Sequence, residues 1–146
     1  MNAGDVLLVA VPFTWWGLVM GISGLEAPLK FRAPGITVAL GLGIGRLVFR
    51  ALNLAELLCA VLLAVALFTT SAYLNEMPTI VAVVVLFVLF VVQLAALRPA
   101  LDRRTKRVLA GEELPRSRVH LVYIALEAVK LVLLPVLGVV FILALD

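Results

Sequence analysis

Ile80-Val-Ala-Val-Val-Val-Leu-Phe-Val-Leu-Phe-Val-Val92 contains no polar side chain. It sits in a run from about Pro78 to Leu97 whose apolar pattern is broken at Gln93. A helix of some 20 residues rises about 30 Å, the thickness of a bilayer's hydrocarbon core. Apolar on every side, it offers no face to water and reads as a span that meets lipid over much of its circumference.

Three further runs have the same character: about 6–25, 46–68 with an apolar lead-in at 36–45, and 119–145. Of the 146 residues 64% are hydrophobic and 14% charged, with a mean hydropathy of +1.21. Soluble domains carry about 25% charged residues. The expected fold is therefore all-α, an integral membrane four-helix bundle forming a single transmembrane domain over residues 1–146, with no room for a separate soluble domain.

Prolines and glycines punctuate the runs. Pro28 and Pro34 each push the preceding residue away from helical backbone, so Glu26–Pro34 reads as a loop or hinge at the membrane face. The apolar stretch Ile36–Phe68 exceeds one span, and Gly41, Gly43 and Gly45 weaken a helix. The 36–45 segment is therefore expected either to belong to a tilted helix two or to form a separate interfacial or re-entrant piece, the separate piece being favoured. Gly41–Gly45 lacks the spacing and the βαβ context of a dinucleotide fingerprint. Gly17 with Gly21, and Gly41 with Gly45, stand four apart, the spacing of close helix packing in membranes. Residues 98–118 read as a basic loop whose middle, 101–110, forms an amphipathic surface helix ended by Gly111.

The net charge is +3. The basic residues gather in the first and third connections, whereas Asp5, Glu76 and Asp146 lie at the termini and in the second. Positive loops stay in the cytoplasm, which puts both termini outside. Arg98–Arg118 is expected to meet anionic lipid headgroups, a reading of the charge that needs no nucleic acid. Residues 1–5 carry no lysine or arginine, so helix one is expected to be retained rather than cleaved as a signal. Cys59 is the one cysteine, which excludes a disulfide or dithiol chemistry within the chain.

Ionisable groups inside spans are the candidates for function. On helix two, Arg46, Arg50 and Asn53 fall within about 60° of one another, with Glu56 at their flank. On helix four, His120, Tyr123, Glu127 and Lys130 lie within about 80°. Under the topology above their depths match, so helices two and four are expected to face each other, pairing Arg50 with Glu127 and Glu56 with Lys130. Glu26 could reach Arg46 or Arg50. A buried glutamate shielded from its partner can carry a proton; a purely structural ion-pair network is the competing reading. The lone His120 has no cysteine or acidic cluster at ligand spacing, so no metal, cofactor or catalytic set is assigned. Each half also contains an apolar helix, a basic connection with proline, and a helix with a mid-membrane glutamate, a weak parallel repeat.

Gly21-Ile-Ser-Gly-Leu-Glu26-Ala-Pro-Leu-Lys30-Phe-Arg-Ala-Pro34-Gly and Gly41-Leu-Gly-Ile-Gly45-Arg46-Leu-Val-Phe carry a resemblance. So do Pro99-Ala-Leu-Asp102-Arg103-Arg104, Gly111-Glu-Glu-Leu-Pro115 and the His120–Lys130 face. Together they make the chain resemble an uncharacterised family of small bacterial four-helix membrane proteins and, more distantly, the eukaryotic transmembrane-protein-205 group. The resemblance implies the fold and a bacterial inner membrane, and brings no activity. Three functions stay open. One is transport or permeability of an ion or small molecule through the polar site, in more than one copy because four helices rarely enclose a pathway. The second is a non-catalytic accessory or scaffold role, and the third an intramembrane enzyme, which lacks a nucleophile or metal set.

Overall fold

The computed structural model describes residues 2–70 and 76–145. Among these, four helices are long and apolar enough to cross a membrane: α1 Ala3–Arg32, α2 Val38–Thr69, α3 Met77–Leu109 and α4 Arg118–Leu143. The expected turn between helices two and three falls largely on 71–75, outside the described residues.

Each start has a local cause. Asn2 caps α1 by accepting from the Asp5 N–H at 3.0 Å, while the Asp5 carboxylate accepts from the Asn2 N–H at 2.6 Å. Thr37 accepts from the Leu40 N–H at 3.1 Å to cap α2, and Ser117 accepts from the His120 N–H at 3.4 Å to cap α4. The turns at the opposite end of the bundle pass through Gly35 (φ 77°) and Gly111 (φ 91°), backbone that favours glycine.

Three boundaries differ from expectation. Of Glu26–Pro34 only the end, from Ala33, lies in a loop: α1 continues through a π-helical stretch, Met20–Glu26, a short α turn, Ala27–Leu29, and a 3₁₀ turn, Lys30–Arg32. Likewise α3 does not stop at Leu97. It passes through a π turn, Gln93–Leu97, into Arg98–Leu109, so the amphipathic segment is an extension of the span. In both helices a proline (Pro28, Pro99) stands two residues after the π stretch. Proline lacks an N–H and crowds the carbonyl four residues back; the wider turn absorbs that conflict without ending the helix.

The third difference is the lead-in. Residues 38–45 are the first turns of α2 rather than a separate piece, and the helix is continuous for 32 residues. At 1.5 Å per residue that is about 48 Å, longer than a hydrocarbon core. Packing overrides the weak propensity of the glycines. Gly41 and Gly45 share a buried face under Phe31 and Lys30; a Cβ at Gly45 would sit 2.7 Å from Lys30 Nζ, and one at Gly41 would overlap the Phe31 ring. Gly17 and Gly21 do not pack in this way. Nothing lies within 4 Å of a Cβ built at either, so their expected packing role is absent within the protomer.

The helices run up-down-up-down. The end of α1 lies on the start of α2, and Arg46 of α2 meets Asp102 in the extension of α3 at 2.6 Å. Helix α1 is the central one, packed along both α2 and α4, while α3 packs on α4 and meets α2 chiefly through its extension. The apolar core joins Leu8, Val11, Trp15 and Val19 of α1 to Leu63 and Ala66 of α2, Leu86 and Phe90 of α3, and Leu134, Leu137 and Phe141 of α4. The outward faces carry Leu54, Leu58, Val61, Val84, Val88, Val132 and similar residues, all exposed. Apolar both inside and outside, the bundle has the surface of a multi-pass membrane protein. Eleven of its twelve lysines and arginines lie toward the end holding Gly35 and Gly111; Lys130 is the exception.

Candidate functional site

Lys130 is fully buried, and the structure brings two carboxylates to it. Its Nζ bonds Glu56 Oε1 across from α2 and reaches Glu127 Oε1, three residues back on α4, at 2.9 Å. Glu56 is 2% exposed and Glu127 4%. Isolated charges at such depth would be costly; pairing makes them tolerable.

The other helices complete the cluster. From α1, the Trp15 indole N–H donates to Glu56 Oε1 at 3.0 Å. From α3, Arg98 donates to Glu56 Oε2 at 3.3 Å and to the Phe49 carbonyl at 3.3 Å. Gln93, also on α3, donates from Nε2 to Glu127 Oε1 at 2.9 Å. Two carboxylates thus face one ammonium and one guanidinium, a formally neutral set. Glu56 has a donor on each oxygen. Glu127 Oε2, Gln93 Oε1 and the Tyr123 hydroxyl are buried without a hydrogen-bond partner among the described residues.

The π turn explains how one helix supplies both Gln93 and Arg98. On a regular α-helix, residues five apart point about 140° away from each other. Here the Arg98 N–H bonds the Gln93 carbonyl, the five-residue closure of a π turn. That wider turn brings the two side chains toward one side. Arg98 reaches inward along an aromatic sleeve, its guanidinium 5.0 Å from the Phe49 ring centre and 4.8 Å from that of Tyr123. Cation–π contact stabilises a charge that is leaving water. Lys30 lies against Phe49 at 5.5 Å.

Proline places a further contact. Pro135 inside α4 has no N–H for the Leu131 carbonyl, and the Trp16 indole N–H takes that carbonyl at 3.0 Å. This bond ties α1 to α4 at the residue next to Lys130.

The expected seam is therefore only partly assembled. Glu56, Tyr123, Glu127 and Lys130 lie together in the core, and Glu56 pairs with Lys130. Arg50 does not meet Glu127: it is exposed and has no partner among the described residues, because Glu127 is taken by Lys130 and Gln93. Arg46 pairs with Asp102, and Glu26 with Lys30 at 3.3 Å, a near neighbour on its own helix. Asn53 is half-buried and outside the cluster. The His120 side chain is exposed and lines a surface groove of about 530 Å³ with Leu42, Leu101, Arg104, Arg116 and Leu121. Nor do α2 and α4 pack closely as helices; α1 lies against both, and only their long side chains meet.

Trp15, Gln93, Arg98 and Phe49 belong to the site but are absent from the expected set. Two of them left a signal. Gln93 is the one polar group in the middle of the most apolar run, Ile80–Leu97, and a buried tryptophan needs a partner for its N–H. Arg98 reads as the first residue of a loop until the π turn before Pro99 is seen.

Fold and site together define a multi-pass four-helix membrane protein with a neutral charge cluster in its core. No family model, curated protein or solved structure matches the chain.

Proposed function

We propose that this is a small inner-membrane protein that moves an ion or small molecule, with the Glu56–Lys130–Glu127 cluster as its polar site. The observation that carries the reading is the concentration of four charged side chains from three helices in an otherwise apolar core. Glu127 is the carboxylate that exchanges a proton. One of its oxygens has no hydrogen-bond donor among the described residues, whereas both oxygens of Glu56 are held.

The basic end lies in the cytoplasm, both termini lie outside, and the groove at Arg104, Arg116 and His120 meets anionic lipid headgroups. The positive-inside rule supports that orientation, and the family resemblance supports a bacterial inner membrane. Conduction takes more than one copy, since the four helices pack onto one another.

A second reading has its own support. The bonds that occupy Glu56 fit an accessory protein whose ion pairs only hold helices together. Reconstitution separates the two. In liposomes with a pH-sensitive dye inside, the wild-type chain is expected to pass protons, alone or with a co-ion, and Glu127→Gln to abolish this while remaining folded. Wild-type flux equal to empty liposomes, across protons, sodium, potassium and small amphiphiles, overturns the transport reading.

A further inference from the structure

The two halves of the chain repeat with an offset of 71 residues. Pro99 stands 71 after Pro28 and Glu127 stands 71 after Glu56, so 28 positions separate proline from glutamate in each half. The backbone follows: the π stretches end at Glu26 and Leu97, the same register. So does burial. The buried residues of α3 before its π turn are Thr79, Val83, Leu86 and Phe90, and their counterparts Leu8, Pro12, Trp15 and Val19 are all buried. On α4, Tyr123, Glu127, Lys130, Leu134, Leu137 and Gly138 are buried, and their counterparts on α2, Leu52, Glu56, Cys59, Leu63, Ala66 and Leu67, are buried too; buried Phe141 is the exception, its counterpart Thr70 being half-buried. Because α1 and α3 run in parallel, as do α2 and α4, the two halves are repeats of the same orientation.

The register is kept while the turn is not. The first connection reverses at 33–37, and the second, 71 residues on, reverses at 110–117 instead. What is held constant is the number of residues between proline and glutamate; the pairing within each hairpin is not, since Trp15 meets Glu56 whereas Gln93, seven residues past Trp15's counterpart Leu86, meets Glu127.

We infer that the chain is a tandem duplication of one helical hairpin, that each copy supplies one glutamate to a shared site, and that Lys130 is the cation this site acquired when the copies diverged. The divergence is concentrated there. The first-half counterparts of Gln93, Arg98, Tyr123 and Lys130 are Ile22, Ala27, Leu52 and Cys59. None of these is charged. Two buried carboxylates with no cation would repel each other; the second copy contributes both positive charges, and the site is neutral for that reason. The inference stands on register and burial and needs no transport activity.

The relation predicts where else a lysine would serve both carboxylates. Position 59 is to Glu127 as position 130 is to Glu56. In the full-length protein in detergent, Lys130→Cys is expected to lower the thermal midpoint, and adding Cys59→Lys to restore most of the loss. Leu58→Lys in the same background puts the lysine on an exposed neighbour, 59% accessible, and is expected to restore nothing. If Lys130→Cys does not yield folded protein, recovery of a monodisperse species by the exchange replaces the midpoint as the readout. No recovery with lysine at 59, equal recovery at 58, or an unchanged midpoint for Lys130→Cys each overturns the inference.

Discussion

Lys130 is where one side chain does the most. Among the described residues it is the sole cation on Glu127 and one of two on Glu56. Lys130→Met keeps the bulk and removes the charge, leaving two buried carboxylates to share Arg98. Losing one partner of a buried pair costs about 3–5 kcal/mol, so this variant should unfold at clearly lower denaturant or temperature than wild type. Trp15→Phe is a milder change. The ring still packs edge-on against Phe90, at 5.3 Å between centres, but the donor to Glu56 is gone. A hydrogen bond to a charged group is worth about 1.5–3 kcal/mol, and a loss within that range is expected by equilibrium unfolding. Exposed Arg50→Gln should cost nothing measurable; a loss as large as that of Lys130→Met would mean that Arg50 has a buried partner. At this scale the sequence showed which residues were unusual and one of the pairings, Glu56 with Lys130, but not the other partners. Helical phase puts Arg50 on the polar side of α2, yet Asp102, Arg98 and Trp15 lie on other helices, and phase within one helix says nothing about them.

For the elements, the glycines separate packing from composition. Gly41 and Gly45 are covered by Phe31 and Lys30, and Gly138 by Phe13, where a Cβ would come within 2.6 Å of the ring. Gly17 and Gly21 are uncovered. Gly41→Leu or Gly138→Leu should therefore pry α1 from its neighbour and lower the thermal midpoint of the detergent-solubilised protomer. Gly17→Ala with Gly21→Ala should leave it unchanged or raise it, since alanine favours helix by about 1 kcal/mol over glycine. The reverse order would place the contact face of α1 elsewhere. Spacing four apart was equally visible in both pairs. What distinguishes them is the presence of a side chain opposite, a tertiary fact. The π turns were hidden for a related reason. A proline in an apolar run reads as a stop, and only the packed extensions beyond Pro28 and Pro99 show that the helix goes on.

Across the whole molecule, charge asymmetry makes the orientation testable. With Cys59 replaced by alanine, a cysteine at Glu113 should react with an impermeant thiol reagent only from the cytoplasmic side, and one at Asn2 only from the outside. The opposite labelling would reverse the orientation without disturbing the fold. By itself the sequence determined the membrane class, the number of spans and the end at which basic residues gather, because those follow from how much apolar chain must leave water and how many charges may not enter lipid. Tertiary structure alone decided that α1 is the central helix and that Gln93 and Arg98 of α3 turn inward. It also decided that Glu56 and Glu127 share one lysine. A buried charge takes whatever donors the packed bundle brings within reach, and that reach is set by helices far apart in the chain.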